Sequence, residues 1–425
     1  MKLPRIFSRS PAEKKESAVS AAMVVNPGQA AWSNRNYAAF ADEGYKRNVV
    51  AYQAINKIAD AVASVKWTIW RGEQELITHP LLDLLRKPNP AQSGPQYMRA
   101  KIGFLMISGN GYEERVQVNG QVRELYQLRP DRMKIVPGSN GMPREYVYKV
   151  GGREVKFPVD QNLDSDVRHL RMFNPLDDWY GMSPIEAGSY AIDQHNLSMT
   201  WMQALLQNSA RPSGALIVGN DNPLNDDQFA RLKAQMEDQY QGAKNGGRPL
   251  LLEGGLDWRQ MGLSPSDMGI IETKYSAARD VCLALGVPPQ LLGIPGDNTY
   301  SNYAEARLAF WEDTVIPLLD LIAADWNAYL GDPQGVELRP DLDQIPAIAD
   351  KRNTLWEMAD RATDLTINER RAMKGYEPID GGDVLLVGLG QMPISDASQP
   401  LSDPMTKSAD LDMLAKLAGY NAPID

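Results

Sequence analysis

Cysteine is almost missing from this chain of 425 residues: Cys282 is the single one. No intrachain disulfide can form, so a chain made in a reducing compartment is expected. Histidine is nearly as scarce. His79, His169 and His195 each lack a second histidine, a cysteine or a paired carboxylate at metal-ligand spacing, so no metal and no cofactor is expected. Positive charge is in deficit, with 44 Lys and Arg against 54 Asp and Glu, for a net charge of -10. That excludes the basic surplus of a free-standing DNA-binding protein. An acidic surface can still line a channel through which DNA slides without sticking, because like charges repel. No apolar run approaches membrane-spanning length, and the start, MKLPRIFSRSPAEKKE, is basic but lacks the apolar core of a signal peptide. A soluble chain of cytoplasmic origin, with no membrane partner, follows as the expectation.

Catalytic patterns are missing as well. There is no G-x-S-x-G elbow and no phosphate-cradling G-x-x-x-x-G-K-[ST], so neither a serine hydrolase nor an ATP-driven motor is indicated. VLLVGLGQM, residues 384–392, resembles the opening of a dinucleotide turn, but its third glycine is absent and Pro393 denies it a following helix. Asp177-Asp178 and Asp341/Asp343 are isolated acidic pairs that solvated loops explain. The basic-aromatic interleaving of single-strand binders is not found. His195, on an apolar helix, reads as a satisfied interior histidine, and Cys282, on an apolar stripe, as a buried inert thiol.

What the sequence does contain is ordinary globular material, 43% hydrophobic and 23% charged, enough for two or three domains. Residues 1–40 carry no periodic pattern and read as a mobile arm. Val49, Tyr52, Ile55, Ala59 and Val62 recur at helical spacing. KWTIWRG alternates like a strand, HPLLDLLRKPNP is a short helix stopped by Pro88, and residues 93–108 are helical again. Asn119-Gly120 between alternating runs marks a hairpin. Further strands are expected at 133–136, 144–149, 153–157 and 167–173, which makes the first 175 residues an α+β region.

A long helix at 184–209 carries Ile192, Met199, Met202 and Leu206 on one face and Tyr190, Leu197, Trp201 and Leu205 on another. A helix apolar on most sides is buried on most sides, in a domain centre or between neighbouring subunits. A small unit at 211–262 follows, with a strand GALIV, a helix capped by Asn225 with Gln228, an apolar stripe Phe229, Leu232, Met236 and Tyr240, and two more strands in PLLLEGGLDWRQM. A second long helix, 265–286, flanks it. Each would be roughly 30–40 Å long, giving a stalk with a small head. At the other end, LGVPPQLLGIPGDNTYSNYAEA interrupts two helical stretches with three prolines, three glycines and a polar tip. The third long helix, 301–330, contains Pro317, so a kink near Asp313 is expected. Residues 346–375 are helical, and a Pro/Ser/Asp-rich tail begins near 390.

NVVAYQAINKIADAVASVKWTIWR, HPLLDLLRKPNP, GMSPIEAGSYAI, NSARPSGALIV, GRPLLLEGGLDWRQMGLSPSDMGIIETKYSAARDVCLALGVPPQLLG and TYSNYAEARLAFWEDTVIPLL, in this order over roughly residues 45–335, resemble the portal proteins of tailed bacteriophages. The branch they resemble is found in long-tailed phages, prophages and gene transfer agents. The resemblance implies an α+β portal fold with wing, long-helix stem, small α/β clip and short helical crown, assembling as a ring of about twelve. It divides the chain into an arm (1–40), wing (41–183), stem helix (184–210), clip (211–262), stem helix (263–287), tunnel loop (288–302), kinked wing helix (303–335), crown (336–390) and tail (391–425).

It further implies a non-enzymatic channel at one capsid vertex of a virion, assembled in the host cytoplasm, through which double-stranded DNA enters and leaves without sequence specificity. The implied protein partners are the terminase large subunit, a head-completion or adaptor protein, and the major capsid and scaffold proteins. The tunnel-loop tip would be Asp297, Asn298, Thr299, Tyr300, Ser301 and Asn302, whose polar groups touch phosphates without strong ion pairs. The stem interface would hold Tyr190, Leu197, Trp201, Leu205 and Tyr275. Clip docking would fall to Arg231, Lys233, Glu237 and Asp238. A soluble enzyme with 285–302 as an active-site lid, and a shell or scaffold component of a virion, are the competing readings.

Overall fold

The computed structural model describes residues 34–139, 141–207, 214–218, 225–240, 256–260, 269–296, 300–330, 335–387 and 392–393. Most of the expected arm and nearly all of the expected tail lie outside these residues. In chain order, α1 (Tyr37–Ala39) runs on as a π-helical stretch, Phe40–Lys46, and is followed by α2 (Val49–Ser64), β1 (Trp67–Arg71), β2 (Gln74–Leu76), α3 (Pro80–Arg86), α4 (Gly94–Ser108), β3 (Asn110–Val118) and β4 (Gln121–Leu128). Next come β5 (Met133–Pro137), β6 (Pro143–Val150), β7 (Arg153–Pro158), β8 (Val167–Arg171), α5 (Pro184–Ala187), α6 (Ser189–Gln207), β9 (Gly214–Val218), α7 (Asp226–Tyr240), β10 (Leu256–Gln260) and α8 (Ile270–Ala284). The last elements are α9 (Tyr300–Ala309), a π-helical stretch Phe310–Val315, α10 (Ile316–Leu330), β11 (Glu337–Pro340), α11 (Pro346–Arg361), α12 (Ile367–Met373), β12 (Leu386–Val387) and β13 (Met392–Pro393). Helix therefore starts at Tyr37, inside the stretch read as an arm. Asn36 caps it, its side chain accepting from the Ala39 N–H at 2.9 Å.

The chain forms two compact units. The first comprises Met1–Lys57, Ala100–Arg115 and Tyr126–Pro295. Its α/β core gathers Tyr112, Leu128, Met133, Ile135, Tyr146, Phe157 and Val167, with Trp179 and Tyr180 packed against it. Strands β5, β6 and β7 form an antiparallel meander, and β8 pairs antiparallel with β3. In the same unit α6 packs along α8, and the start of α6 lies beside the end of α8. A Cβ added at Gly188 would stand 3.0 Å from that of Ala284, so the two helices approach tightly there. This glycine also separates α5 from α6, so the first stem helix is broken where an unbroken helix was expected. The inserted unit keeps its expected framework: β9 pairs antiparallel with β10, and α7 is capped by Asn225. The other strand expected in 250–255 lies outside the described residues.

The second unit comprises Ile58–Arg99, Val116–Leu125 and Gly296–Asp425. Asn119 and Gly120, both at positive φ (55° and 75°), make the tight hairpin turn. A three-stranded sheet runs β11-β1-β2. Residues 337–340, inside the stretch expected as crown, complete the sheet begun at Trp67, and Asn327 of α10 holds Leu338 by both backbone groups (2.8 and 2.9 Å). The kink expected near Asp313 takes the form of the π-helical stretch. Pro317 offers no N–H and its ring crowds the carbonyl one turn back; the Ile316 N–H reaches the Trp311 carbonyl instead, and the widened turn absorbs the misfit. Thr366 and Glu369 form a capping box for α12, and Asn368 is buried among the backbone of 379–383. Its amide oxygen would lie 2.2 Å from a Cβ at Gly382, which fixes glycine there.

Candidate functional site

The paired helices α6 and α8, expected as stem, differ at their two ends. Near Gly188 the pair is buried and polar-satisfied. Ile192, Asp193 and His195 of α6 are buried, as are Ala277, Ala278, Val281 and Cys282 of α8. Asn48 ties this end together. Its side-chain oxygen caps α2 through the N–H groups of Val50 and Ala51 (3.1 and 3.0 Å), its amide donates to Asn196 at 3.0 Å, and it lies 3.3 Å from Nδ1 of His195. Asn196 in turn donates to the Glu43 carbonyl at 3.0 Å. Burial, and then the ammonium of Lys274, hold the His195 pKa below its ordinary value. Burial pushes the Cys282 thiol up to about 12, which leaves it inert at neutral pH. Both residues are where the sequence reading placed them: in the interior.

At the other end the pair is only partly covered. No described residue of α6 after His195 is buried, although the stretch holds Leu197, Met199, Trp201, Met202, Leu205 and Leu206. Leu197 is 59% exposed and Leu206 68%. Of the five expected interface residues, Tyr190 and Leu197 are exposed and Trp201, Leu205 and Tyr275 half-buried. The Arg35 guanidinium stands 4.7 Å from the Tyr190 ring and the Lys274 ammonium 5.7 Å from that of Tyr275, so both rings already carry a cation on one face.

The segment expected as tunnel loop, 288–302, is only partly loop among its described residues. Pro289–Leu292 form a 3₁₀ turn with left-handed Gly286 and Gly293 (φ 67° and 70°) on either side. Val287, Leu291 and Ile294 are buried, so residues 288–294 are a packed turn. Arg279 of α8 donates its guanidinium to the Pro295 carbonyl and ties that turn to the stem. Tyr300, Ser301 and Asn302 are the first turn of α9. Small hydroxyl and amide side chains suit helix starts as well as loops, and this is why a polar tip was read as loop throughout. Asp297, Asn298 and Thr299 lie outside the described residues. In the unit expected as clip, Arg231 and Lys233 are exposed on α7 beside an exposed Phe229, and Glu237 and Asp238 are later residues of the same helix.

The other two histidines and one buried ion pair have structural roles. His79 caps α3, accepting from the Leu81 N–H at 3.3 Å. His169 stacks on Tyr112, with ring centres 4.3 Å apart, and is 2.9 Å from the Asn110 side-chain oxygen; burial, with Arg171 and Arg168 nearby, pushes its pKa down to about 3. Lys101 and Glu113 form a buried ion pair, and Glu113 also accepts from Gln127 at 3.0 Å. Among the described residues no group of three or more His, Cys, Asp or Glu could hold a metal ion, and no helix is long and apolar enough to cross a membrane. Leu386–Val387 and Met392–Pro393 form a small antiparallel pair, β12 with β13, and the glycines between them lie outside the described residues. Asn48 and Arg279 went unmarked in the sequence reading. An asparagine just before the apolar periodicity of α2 signals the Asn48 cap, but nothing local signals the reach of Arg279.

The family model described as phage portal protein matches residues 49–375. The chain is similar to a protein in the neck of an empty gene transfer agent particle computed with C6 symmetry, at 45% identity, TM-score 0.65, and coverage of 84% of this chain and 98% of that one. It is similar to one in the neck of a native particle computed with C12 symmetry, at 44% identity, TM-score 0.62 and coverage of 84% and 98%. A protein of Rickettsia bellii is 41% identical over 81% of this chain and 90% of its own length. The portal protein of Enterobacteria phage HK97 is 22% identical over 75% of each.

Proposed function

The chain belongs to the phage portal protein family, and from that membership we propose that its copies close into a ring of about twelve around a channel for double-stranded DNA. It is a portal protein of a phage or gene transfer agent particle, a structural component of the virion. The partly covered end of the stem carries the ring reading. Six large apolar side chains follow His195 on α6 without one buried position. In a ring each stem has two neighbours, and these cover what the single chain leaves open. The gene transfer agent neck with C12 symmetry supports the ring size.

The division of labour follows. Tyr190, Leu197, Trp201, Leu205 and Tyr275 contact neighbouring stems. Asp297, Asn298 and Thr299, between the packed turn and α9, stand at the narrow point of the channel, with Tyr300, Ser301 and Asn302 as the helix start behind them. Polar, nearly neutral contacts there let DNA pass; a ring of basic residues would hold it. The clip, through Arg231, Lys233, Glu237 and Asp238, docks the terminase large subunit and later a head-completion protein. The remaining surfaces meet major capsid and scaffold proteins during assembly in the host cytoplasm. The reading of 285–302 as an active-site lid fails on two counts: the family is structural, and most of this segment is packed turn and helix.

Light scattering and negative-stain microscopy of the purified chain test this proposal. Rings of about a dozen subunits with a central hole are expected. A monodisperse monomer at micromolar concentration, with or without capsid and scaffold proteins, overturns it.

A further inference from the structure

The first unit carries two features that stem, clip and tunnel leave unused. One is the loop between β8 and α5. Phe173 and Leu176 are 86% and 95% exposed on it, yet the loop is held in a single shape. Asn174 accepts from the Leu176 N–H at 3.0 Å and donates to the Tyr180 carbonyl at 2.9 Å. One carboxylate oxygen of Asp177 accepts from the N–H groups of Trp179 and Tyr180 (2.7 and 3.1 Å), and Arg171 donates to the Asp178 carbonyl. Trp179 and Tyr180 pack into the core beneath. Two large apolar side chains on a preorganised loop gain contact area on docking at little further loss of entropy. The Asp178 carboxylate beside them has no ion pair among the described residues.

The other feature is the tip of the β6–β7 hairpin. Tyr146 pairs with Phe157 and Tyr148 with Val155, so Val155 and Val150 continue the sheet face that carries the buried core. The core ends before they do, and both valines are exposed. The turn beyond them, Gly151-Gly152, has no atom within 4 Å of a Cβ added at either residue. Arg153, opposite Val150 and so on the same face as both valines, is exposed and has no ion-pair partner among the described residues, while Lys156 and the Lys149–Glu154 ion pair lie on the other face.

We infer that the 173–178 loop of each copy docks on the β6–β7 hairpin tip of the adjacent copy, Phe173 and Leu176 covering Val150 and Val155 and Asp178 meeting Arg153. Like pairs are disfavoured, because two loops would oppose their aspartates and two hairpins their cations. Opposite features attract, and one chain carries both in equal number, as head-to-tail closure requires. A foreign partner would leave one of the two features unexplained. The inference rests on the ring reading and adds to it a second contact, away from the stem.

Two single variants of the full chain, Leu176→Cys and Val155→Cys, are assembled together and exposed to a mild oxidant. Cys282, fully buried, does not compete. Disulfide-linked dimers are expected from mixed rings and not from rings of either variant alone. Asp178→Arg and Arg153→Asp should each weaken assembly at least ten-fold, and the combined exchange should restore it. Rings that form normally in every variant, with no dimer in the mixture, overturn the inference and leave the portal reading intact. Failure of the unaltered chain to form rings removes both.

Discussion

Helices α6 and α10 are both long and apolar, and they are used in opposite ways. Eight positions of α10 are buried, Trp326 among them, against three in the longer α6. The chain covers α10 itself: Trp67 meets Trp326 with ring centres 5.1 Å apart, and Asn327 clasps β11. Past His195, the described residues of α6 are exposed or only half-buried. Apolar content therefore does not tell whether a helix holds a fold together or waits for a neighbour; the closure of surrounding elements decides it.

Breaking α10 should act on folding. Trp326→Ala leaves a large cavity against Trp67, and a loss of about 3–5 kcal/mol is expected, read as a lower melting temperature of the single chain. Breaking α6 at Trp201 should act on assembly. Trp201→Asp puts a carboxylate where neighbouring stems close; an unpaired charge there costs about 3–5 kcal/mol in the assembled state. Rings should be lost, while the monomer melts within a degree or two of the unaltered chain. Equal loss of monomer stability in the two variants would erase the distinction between the helices. A smaller effect is expected at the buried end of α6. Asn48→Ala removes the cap of α2 and the amide that meets Asn196, and about 1–2 kcal/mol should go. Rings should still form, because the change falls on the end of the stem that its own chain already covers.

Much of this was legible because it is local. Asn119-Gly120, the Asn225–Gln228 cap and the alternating strands from Met133 to Arg171 each encode their structure within a few residues. The inert fates of His195 and Cys282 followed from their apolar neighbours. What was missed depends on distant partners. The strand at 337–340 went unread because nothing in it names Trp67 as its neighbour, some 270 residues earlier. The close approach at Gly188 involves Ala284, nearly a hundred residues later. The tunnel loop was overdrawn for a different reason: polar residues that favour turns also favour the first turn of a helix, and the pattern at Tyr300–Asn302 permits both. The partly covered flank of α6 was readable as apolar, but its incomplete cover became visible only in three dimensions.

Acidification should separate the two helices most gently. His169 and His195 both belong to the unit that contains α6, and burial is the first cause of the lowered pKa of each. Above about pH 6.5 both states of the chain hold them neutral, so folding is insensitive to their titration. Below that value the unfolded chain takes up protons that the folded chain refuses until about pH 3 at His169. Stability is therefore lost as pH falls through this window. For His169 the loss between pH 7.5 and 5.5 should be about 1 kcal/mol, and His195 adds in the same direction. Amide exchange in α6, corrected for its intrinsic pH dependence, should rise over that interval relative to α10. His169→Phe, which keeps a ring against Tyr112, should reduce the rise without moving α10. Equal acceleration in both helices would mean that the two units open together, and that the contrast between α6 and α10 lies in their surfaces and not in their stability.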